Sequence, residues 1–523
     1  MPVPTAVTSR ERTRAALVSL LGNYAGSILA IIKGIVFVPL YFKILGADVY
    51  GAWLASGGIV GVLELLDAGI SSAVYQRLGE SWGAGDRGRF TRTVGAAGLL
   101  LLLVTALLVV LGVTFSPFVP RLVQAPKASW TALSLAFVFA SCGAAGSILI
   151  ANLAAVSAAW QRPGIGATTR VVGQLIETAT IGVGLWIGWG VLALAVGSVT
   201  GAAASLIVGG LWTRLHWRRL ELGTMRVRGI DLRELGRAVV PLMLGRIVLQ
   251  IDANVEVTLV SIVMNPALAA VYAITDRILH MAISFINPIA GASMSGLSHL
   301  VGEKGRAAAL HPARELISVW SLIITATFPV LLVLNQDFTI LWVGRNNYGG
   351  VGLNVALFLS ELLGGREWLF SVLLLSSGAI AASAWISTAE SLIRMPLMYL
   401  ALLGLGWIGL PGAQALVSAG FLVIYSKLVA KQLSLASREQ IGLLLQGFGP
   451  LLLSFLVAIA ETFLLPHAHS WAMLVIKGAS VGAAHLTLAL VLLPTGRGVF
   501  IRRLANALPE GWSRARPRPT APR

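Results

Sequence analysis

Residues 51–79 read GAWLASGGIVGVLELLDAGISSAVYQRLG. A segment this long and this apolar either fills the middle of a large soluble core or crosses a bilayer, and that choice decides the fold. As a helix it would be ~43 Å long at 1.5 Å per residue, more than the ~30 Å hydrocarbon layer requires. The rest of the chain answers the question. Its 523 residues are 56% hydrophobic and only 12% charged, and the mean hydropathy is +0.83. Soluble domains are about 25% charged, so this chain lacks the polar surface to cover an apolar core in water. Apolar segments of spanning length recur from Leu17 to Pro494, with no room for a sizeable soluble domain. The fold class is an all-α integral membrane protein.

Length and loop punctuation predict fourteen spans, at 17–45, 51–79, 93–116, 130–157, 168–188, 190–212, 237–265, 267–296, 314–336, 367–389, 395–410, 412–430, 441–464 and 470–493. The N-terminal MPVPTAVTSRERTRA resembles a signal-peptide start. The segment after it is too long and carries Asn23 and Lys33, so it reads as an uncleaved first span. Basic residues then fall on alternate loops: Arg10, Arg12 and Arg14; Arg77, Arg87, Arg89 and Arg92; Arg162 and Arg170; Lys304, Arg306 and Arg314; Lys427, Lys431 and Arg438. A basic linker, TRLHWRRLELGTMRVRGIDLRELGR (213–237), and the tail GWSRARPRPTAPR extend the series. The opposite connections, GADVYG, GWG, MNPA and GLPG, are nearly chargeless. The positive-inside rule puts the basic loops and both termini in the cytoplasm. It also accounts for the formal charge of +17 without a nucleic-acid partner.

A shift of 222 residues aligns Val49-Tyr50 with Val271-Tyr272, Ala68-Gly69 with Ala290-Gly291, Ser71 with Ser293 and Arg92 with Arg314. In the same register Gly190, Ala193 and Leu194 meet Gly412, Ala415 and Leu416. This predicts two six-helix lobes related by a parallel repeat, as in transporters whose halves insert the same way up. The expected organisation is a cytoplasmic N-terminus (1–16), an N-lobe (17–212), a cytoplasmic basic linker (213–236) and a C-lobe (237–430). Two extra C-terminal helices (441–493) and a cytoplasmic basic tail (494–523) complete it.

Enzyme signatures such as HExxH, GxSxG, a Walker loop or GxGxxG after a strand are missing from the sequence. The longest extracytoplasmic loop is expected at 337–366, with Asp337, Arg345, Glu361, Arg366 and Glu367 thinly spread around it. The single cysteine, Cys142, excludes internal disulfides and CxxC metal sites.

Charges within the spans are more informative. Glu64 and Asp67 share a helix face in the quoted segment. An Asp at mid-bilayer costs about 2.5–3.5 kcal/mol on an insertion scale. Lys33 lies about 24 Å from the inner end of the first helix, and Glu64 about 20 Å from the outer end of the second, so the two share a depth. The seventh span carries Arg246, Gln250, Asp252, Asn254 and Glu256, and the eighth carries Asp276, Arg277 and His280. By the same counting Glu256 is level with Arg277 and Asp252 with His280. These charges either lock helices together in neutral pairs or line a midplane site; their concentration in the opening helices of both repeats favours a site. Glu177 and Lys477 are less telling, since Lys477 can snorkel to its span's end. His485 reads as a packed histidine, and Gly197-x-x-x-Gly201 as a close helix contact.

The stretch YFKILGADVYGAWLASGGIVGVLELLDAGISSAV, with Pro39, a Leu-Gly then Tyr-Gly turn and an Asp-x-Gly-Ile, resembles the opening of bacterial polysaccharide flippases of the Wzx type. These belong to the superfamily that contains the MATE exporters and lipid II flippases. LNQDFTILWVG (334–344) resembles the family's close of helix 9, and GLPGAQALVSAG its start of helix 12. Two departures stand out: fourteen spans where many sugar flippases have twelve, and no Ser-Arg…Arg-Asp signature of lipid II flippases. The resemblance implies alternating access for a polyprenyl-diphosphate-linked oligosaccharide at the bacterial inner membrane. Lys33, Arg246 and Arg277 would form a cationic cavity. Glu64, Asp67, Asp252, Glu256, Asp276 and His280 would balance charge or couple transport to an H+ or Na+ gradient, with Glu64 and Asp67 balancing Lys33 in the empty state. No cofactor or metal is expected. The expected partners are the lipid-linked glycan, membrane lipids and glycan-assembly proteins, with the chain functional as a monomer. A multidrug exporter or lipid II flippase of the same superfamily, and a membrane enzyme of glycan assembly, remain the alternatives.

Overall fold

The computed structural model describes residues 9–64, 70–160, 162, 164–223 and 255–507. Among them the chain is helical, with no β-strand. Among the described residues eight helical segments are long and apolar enough to cross a membrane. The chain divides into two compact units, Met1–Ala273 and Ile274–Arg523.

The first unit opens with α1 (Ser9–Leu63), which is broken at Gly46. There φ is 76° and ψ 165°, a backbone conformation that only glycine adopts without strain. Next come α2 (Ile70–Gly83), α3 (Arg87–Phe115), the single turn α4 (Val119–Leu122), α5 (Trp130–Ala159), α6 (Gly164–Ile187) and α7 (Val191–Arg219). The expected second span at 51–79 thus corresponds to the end of α1 plus α2, with residues 65–69 outside the described set. Further on, α8 (Glu256–Val263) lies against α1, where Thr258 donates to the Ala55 carbonyl at 2.8 Å. A methyl group at Gly51 would overlap the Pro266 carbonyl, so α1 can pass there only without a side chain.

Small residues let α5, α6 and α7 approach one another closely, as lipid-embedded helices require. Gly143 faces Ser198, Gly146 faces Ala202 and Gly197 faces Ile181. A Cβ at Gly201 would come within 2.8 Å of both Glu177 Cβ and the Gly173 carbonyl. The Gly197–Gly201 spacing therefore works as the close contact its sequence suggests. At one end of the unit an aromatic cluster ties four segments together: Trp82 stacks on Phe90 at 5.0 Å, and Trp160 lies 6.3 Å from Trp217.

The helix α9 (Pro266–Lys304) leads into the second unit. The others are α10 (Leu310–Val343), α11 (Gly350–Ser376), α12 (Ile380–Leu405), α13 (Gly409–Gln432), α14 (Ser437–Leu445), α15 (Phe448–Leu464), α16 (Trp471–Leu492) and α17 (Pro494–Ala507). In the second unit α10 packs against α11, α15, α16 and α17.

The extracytoplasmic loop expected at 337–366 does not form. α10 continues to Val343, a short link covers 344–349, and α11 begins at Gly350. Asp337, Arg366 and Glu367 are 1%, 0% and 5% exposed, inside helices rather than on a loop. Their charges lowered the local hydropathy and shortened the apparent spans, although Asp337 and Glu367 pair with cations distant in sequence and Arg366 is hydrogen-bonded to neutral oxygens.

Candidate functional site

In the first unit α1, α5, α6 and α7 enclose a cavity of about 590 Å³. This is within the ~300–1,000 Å³ range of ligand pockets. Its walls are made of glycine, alanine and serine, broken by a few larger polar groups: Trp53, Glu64, Arg170, Gln174 and Glu177. The serines are satisfied within the protein. Ser56 and Ser198 donate to Trp53 and Ala195 carbonyls at 2.7 Å, and Ser205 reaches the Thr169 carbonyl at 3.2 Å. Gln174 differs: its Oε1 is buried with no hydrogen-bond donor.

One face of α6 supplies the charge. Arg170, Gln174 and Glu177 lie on successive turns of that helix, and Gly173 on the same face lets α7 close behind it. Lys33 of α1 donates from Nζ to Glu177 Oε1 at 2.7 Å, with the two side chains 24% and 25% exposed. A turn or two earlier on α1, a Cβ at Gly26 would lie 3.5 Å from Arg170 Cδ and 3.7 Å from Gln174 Oε1. The cavity and its rim therefore hold two cations, Lys33 and Arg170, and two carboxylates, Glu64 and Glu177. Such a set can bind an anion when a carboxylate releases its cation, or bind a cation when the reverse happens.

Of the residues chosen from sequence, Glu64 lines this cavity and Lys33 stands at its edge. The sequence expectation balances Lys33 with Glu64 and Asp67; among the described residues Lys33 pairs with Glu177, on a helix 144 positions away in sequence. Asp67, Arg246 and Asp252 lie outside the described residues. Glu256 accepts from Tyr272 Oη at 2.8 Å. Asp276, Arg277 and His280 belong to the second unit, on α9, where Arg277 and His280 are exposed and Asp276 Oδ1 is buried without a donor. In the sequence Glu177 reads as less telling than the charges of the opening helices, and Arg170 groups with Arg162 as a basic residue of a cytoplasmic loop.

The second unit contains charge groups that were not anticipated. Arg394 of α12 reaches Glu367 Oε2 and Ser418 Oγ, both at 3.4 Å, and pairs with Glu390 one turn away. The i, i+4 spacing of Glu390 and Arg394 was the available clue. Asp337 accepts from Lys477 Nζ at 2.8 Å, the Ala468 amide at 3.1 Å and His467 Nδ1 at 2.9 Å. Lys477 therefore does not snorkel: it is 11% exposed and turned inward. His485 is packed as expected, between Ser454 Oγ at 2.7 Å and Glu461 Oε2 at 2.9 Å. Arg366 is fully buried, donating to Ser321 Oγ at 3.0 Å and to the Leu444 and Gln446 carbonyls at 2.9 and 2.7 Å. The Asp337, His485 and Arg366 groups clamp helices around α10.

A family model described as "Polysaccharide biosynthesis protein" matches residues 13–294. No curated protein matches the sequence. Among solved structures, lipid II flippase MurJ in an inward closed conformation is similar at TM-score 0.64 and 12% identity, over 93% of this chain and 99% of that one. A MOP superfamily transporter from Pyrococcus furiosus is similar at TM-score 0.59 and 14% identity, over 81% and 95% of the two chains. An inward-facing multidrug resistance MATE family transporter gives 0.57 and 13%, over 79% and 100%. At these identities the shared property is the fold, that of multi-pass membrane transporters.

Proposed function

The chain belongs to the polysaccharide biosynthesis protein family, and from that premise we propose that it is a flippase for a polyprenyl-diphosphate-linked oligosaccharide. It would carry the glycan from the inner to the outer leaflet of the bacterial cytoplasmic membrane by alternating access, with both termini cytoplasmic. The observation that carries this reading is the mixed-charge cavity of about 590 Å³ inside an otherwise apolar bundle. A diphosphate is anionic at its junction with the sugar. Arg170 offers it a planar, bidentate donor, and Lys33 a compact charge. The serines and Gln174 suit hydroxyl groups, while the prenyl tail stays in lipid.

In this scheme the empty cavity keeps Lys33 on Glu177, and arriving phosphate takes Lys33 over. Glu177, left without its cation, then takes up a proton or Na+, with Glu64 beside it. That exchange would tie substrate release to the cation gradient. Glu256 and the Asp276–Arg277–His280 group of α9 are proposed to serve the same coupling, and Arg277 to extend the cationic surface. The test is cellular. Loss of the protein should trap the lipid-linked oligosaccharide on the inner leaflet and remove the surface glycan, and an Arg170→Glu chain present at normal level should not restore it. A surface glycan unchanged by deletion would overturn the proposal.

A further inference from the structure

The second unit has another cavity, of about 440 Å³, that the transport scheme does not use. It lies where the start of α10, the short α14 and the terminal α17 come together. Gly496 makes the approach possible, since a Cβ there would stand 2.6 Å from the Ser318 carbonyl and 3.3 Å from Leu322 Cβ. Its charged lining is His311, Arg314 and Arg502 against a single carboxylate, Glu315. Glu315 lies 3.5 Å from His311 Nε2 and 3.9 Å from Arg502 Nη2. The His311 and Arg502 side chains are 82% and 71% exposed, so their donors are open to an incoming ligand. Net positive charge and guanidinium forks at an open pocket select a phosphate.

The surroundings decide which phosphate. Ile441 and Leu445 on α14 are 54% and 55% exposed, and Phe500 and Ile501 on α17 are 41% and 56% exposed. α17 sets Arg497 and Arg502 beside Phe500 and Ile501, basic and apolar groups side by side, the pattern of a segment lying in a membrane interface. A free anion gains nothing from four exposed apolar side chains, whereas an acyl chain does. We propose that this pocket binds the phosphate headgroup of an anionic phospholipid, whose chains lie along Ile441, Leu445, Phe500 and Ile501.

Bound lipid would bear on the core of the unit. Arg314 donates nothing to Gln446 but accepts from it: Gln446 Nε2 reaches the Arg314 carbonyl at 2.9 Å and Ser318 Oγ at 2.6 Å. The Gln446 carbonyl in turn accepts from the buried Arg366 at 2.7 Å. Fixing Arg314 therefore steadies the break between α14 and α15, and occupancy should appear as thermal stability.

Full-length protein, delipidated in neutral detergent, is titrated with phosphatidylglycerol, phosphatidylcholine or inorganic phosphate while its unfolding temperature is followed. Phosphatidylglycerol should raise that temperature; phosphatidylcholine and phosphate should not. Each arginine near an anionic surface contributes about fivefold in affinity, so R314Q with R502Q should need about 25-fold more lipid. Native mass spectrometry of the same samples, reading retained lipid directly, covers a variant that folds poorly. A double variant that responds or retains lipid like the parent removes the pocket from the proposal. An equal response to phosphatidylcholine removes the anion requirement, and a full response to phosphate alone overturns the lipid assignment.

Discussion

Exchanging the two partners of the Lys33–Glu177 pair separates a helix clamp from a substrate site. The groups meet at 2.7 Å and are about a quarter exposed. At an effective dielectric constant of ~20 and a charge separation of ~4 Å their gross attraction is about 4 kcal/mol, much of it offset by desolvation. Exposed pairs are worth ~0–1 kcal/mol, and breaking a fully buried one costs ~3–5 kcal/mol. At intermediate exposure, Lys33→Met or Glu177→Gln alone should cost about 2 kcal/mol, with a coupling energy of about 1–2 kcal/mol in the double-mutant cycle. The exchanged chain, Lys33→Glu with Glu177→Lys, should return to within about 0.5 kcal/mol of the parent. Stability is read by denaturant unfolding in mixed micelles, and function by surface glycan in cells. The exchanged chain should be stable and unable to export, because the cation now projects from α6 instead of α1. Export that returns together with stability would refute the substrate role of Lys33, and an exchanged chain no more stable than the single variants would refute the pair itself.

Arg366→Met removes a fully buried guanidinium with three hydrogen-bond partners. By leaving the partly buried Leu444 and Gln446 carbonyls unsatisfied it should lower stability by about 1–3 kcal/mol and speed hydrogen exchange across 437–447, as thermal unfolding and exchange mass spectrometry would show. Asp337→Asn strands Lys477 and weakens the bonds from His467 and Ala468, so exchange should quicken over 466–477 while 130–159 keeps its protection. Gly51→Val drives a side chain into the Pro266 carbonyl and should cost about 1–3 kcal/mol, measurable as a lower unfolding temperature.

The helices were legible because a bilayer imposes length and apolarity on each of them, and residues such as Gly46 and Gly190 punctuate the chain where it turns. The membership of the opening segment was legible too, from Pro39, Gly46 and the Tyr50-Gly51 turn. Partners were not. Lys33 and Glu177 are separated by most of the first unit, and nothing local in either helix marks the other. Asp337 and Arg366 misled for the same reason: hydropathy counts a charge as polar whether or not Lys477 pairs with it or a pair of helix-end carbonyls accepts its hydrogen bonds. Counting residues from a span's end placed Lys33 and Glu64 at one depth, but depth leaves the azimuth open, and it is azimuth that turned Lys33 toward α6. Arg170 falls inside the expected span 168–188 but counts there among the basic residues of the cytoplasmic end, whereas α6 begins at Gly164 and carries Arg170 more than a turn into the helix.

The central claim, movement of a lipid-linked glycan, is tested most directly in vesicles reconstituted with the purified chain and a polyprenyl-diphosphate oligosaccharide. The glycan is first stripped from the outer leaflet by a membrane-impermeant glycosidase, which is then removed, and its reappearance is followed with an impermeant lectin. The glycan should reappear outside at a rate proportional to the protein present, and Arg170→Glu vesicles should match protein-free ones. Properly folded protein that leaves the glycan inside, or that transfers sugar between acceptors without moving the lipid, would contradict the account.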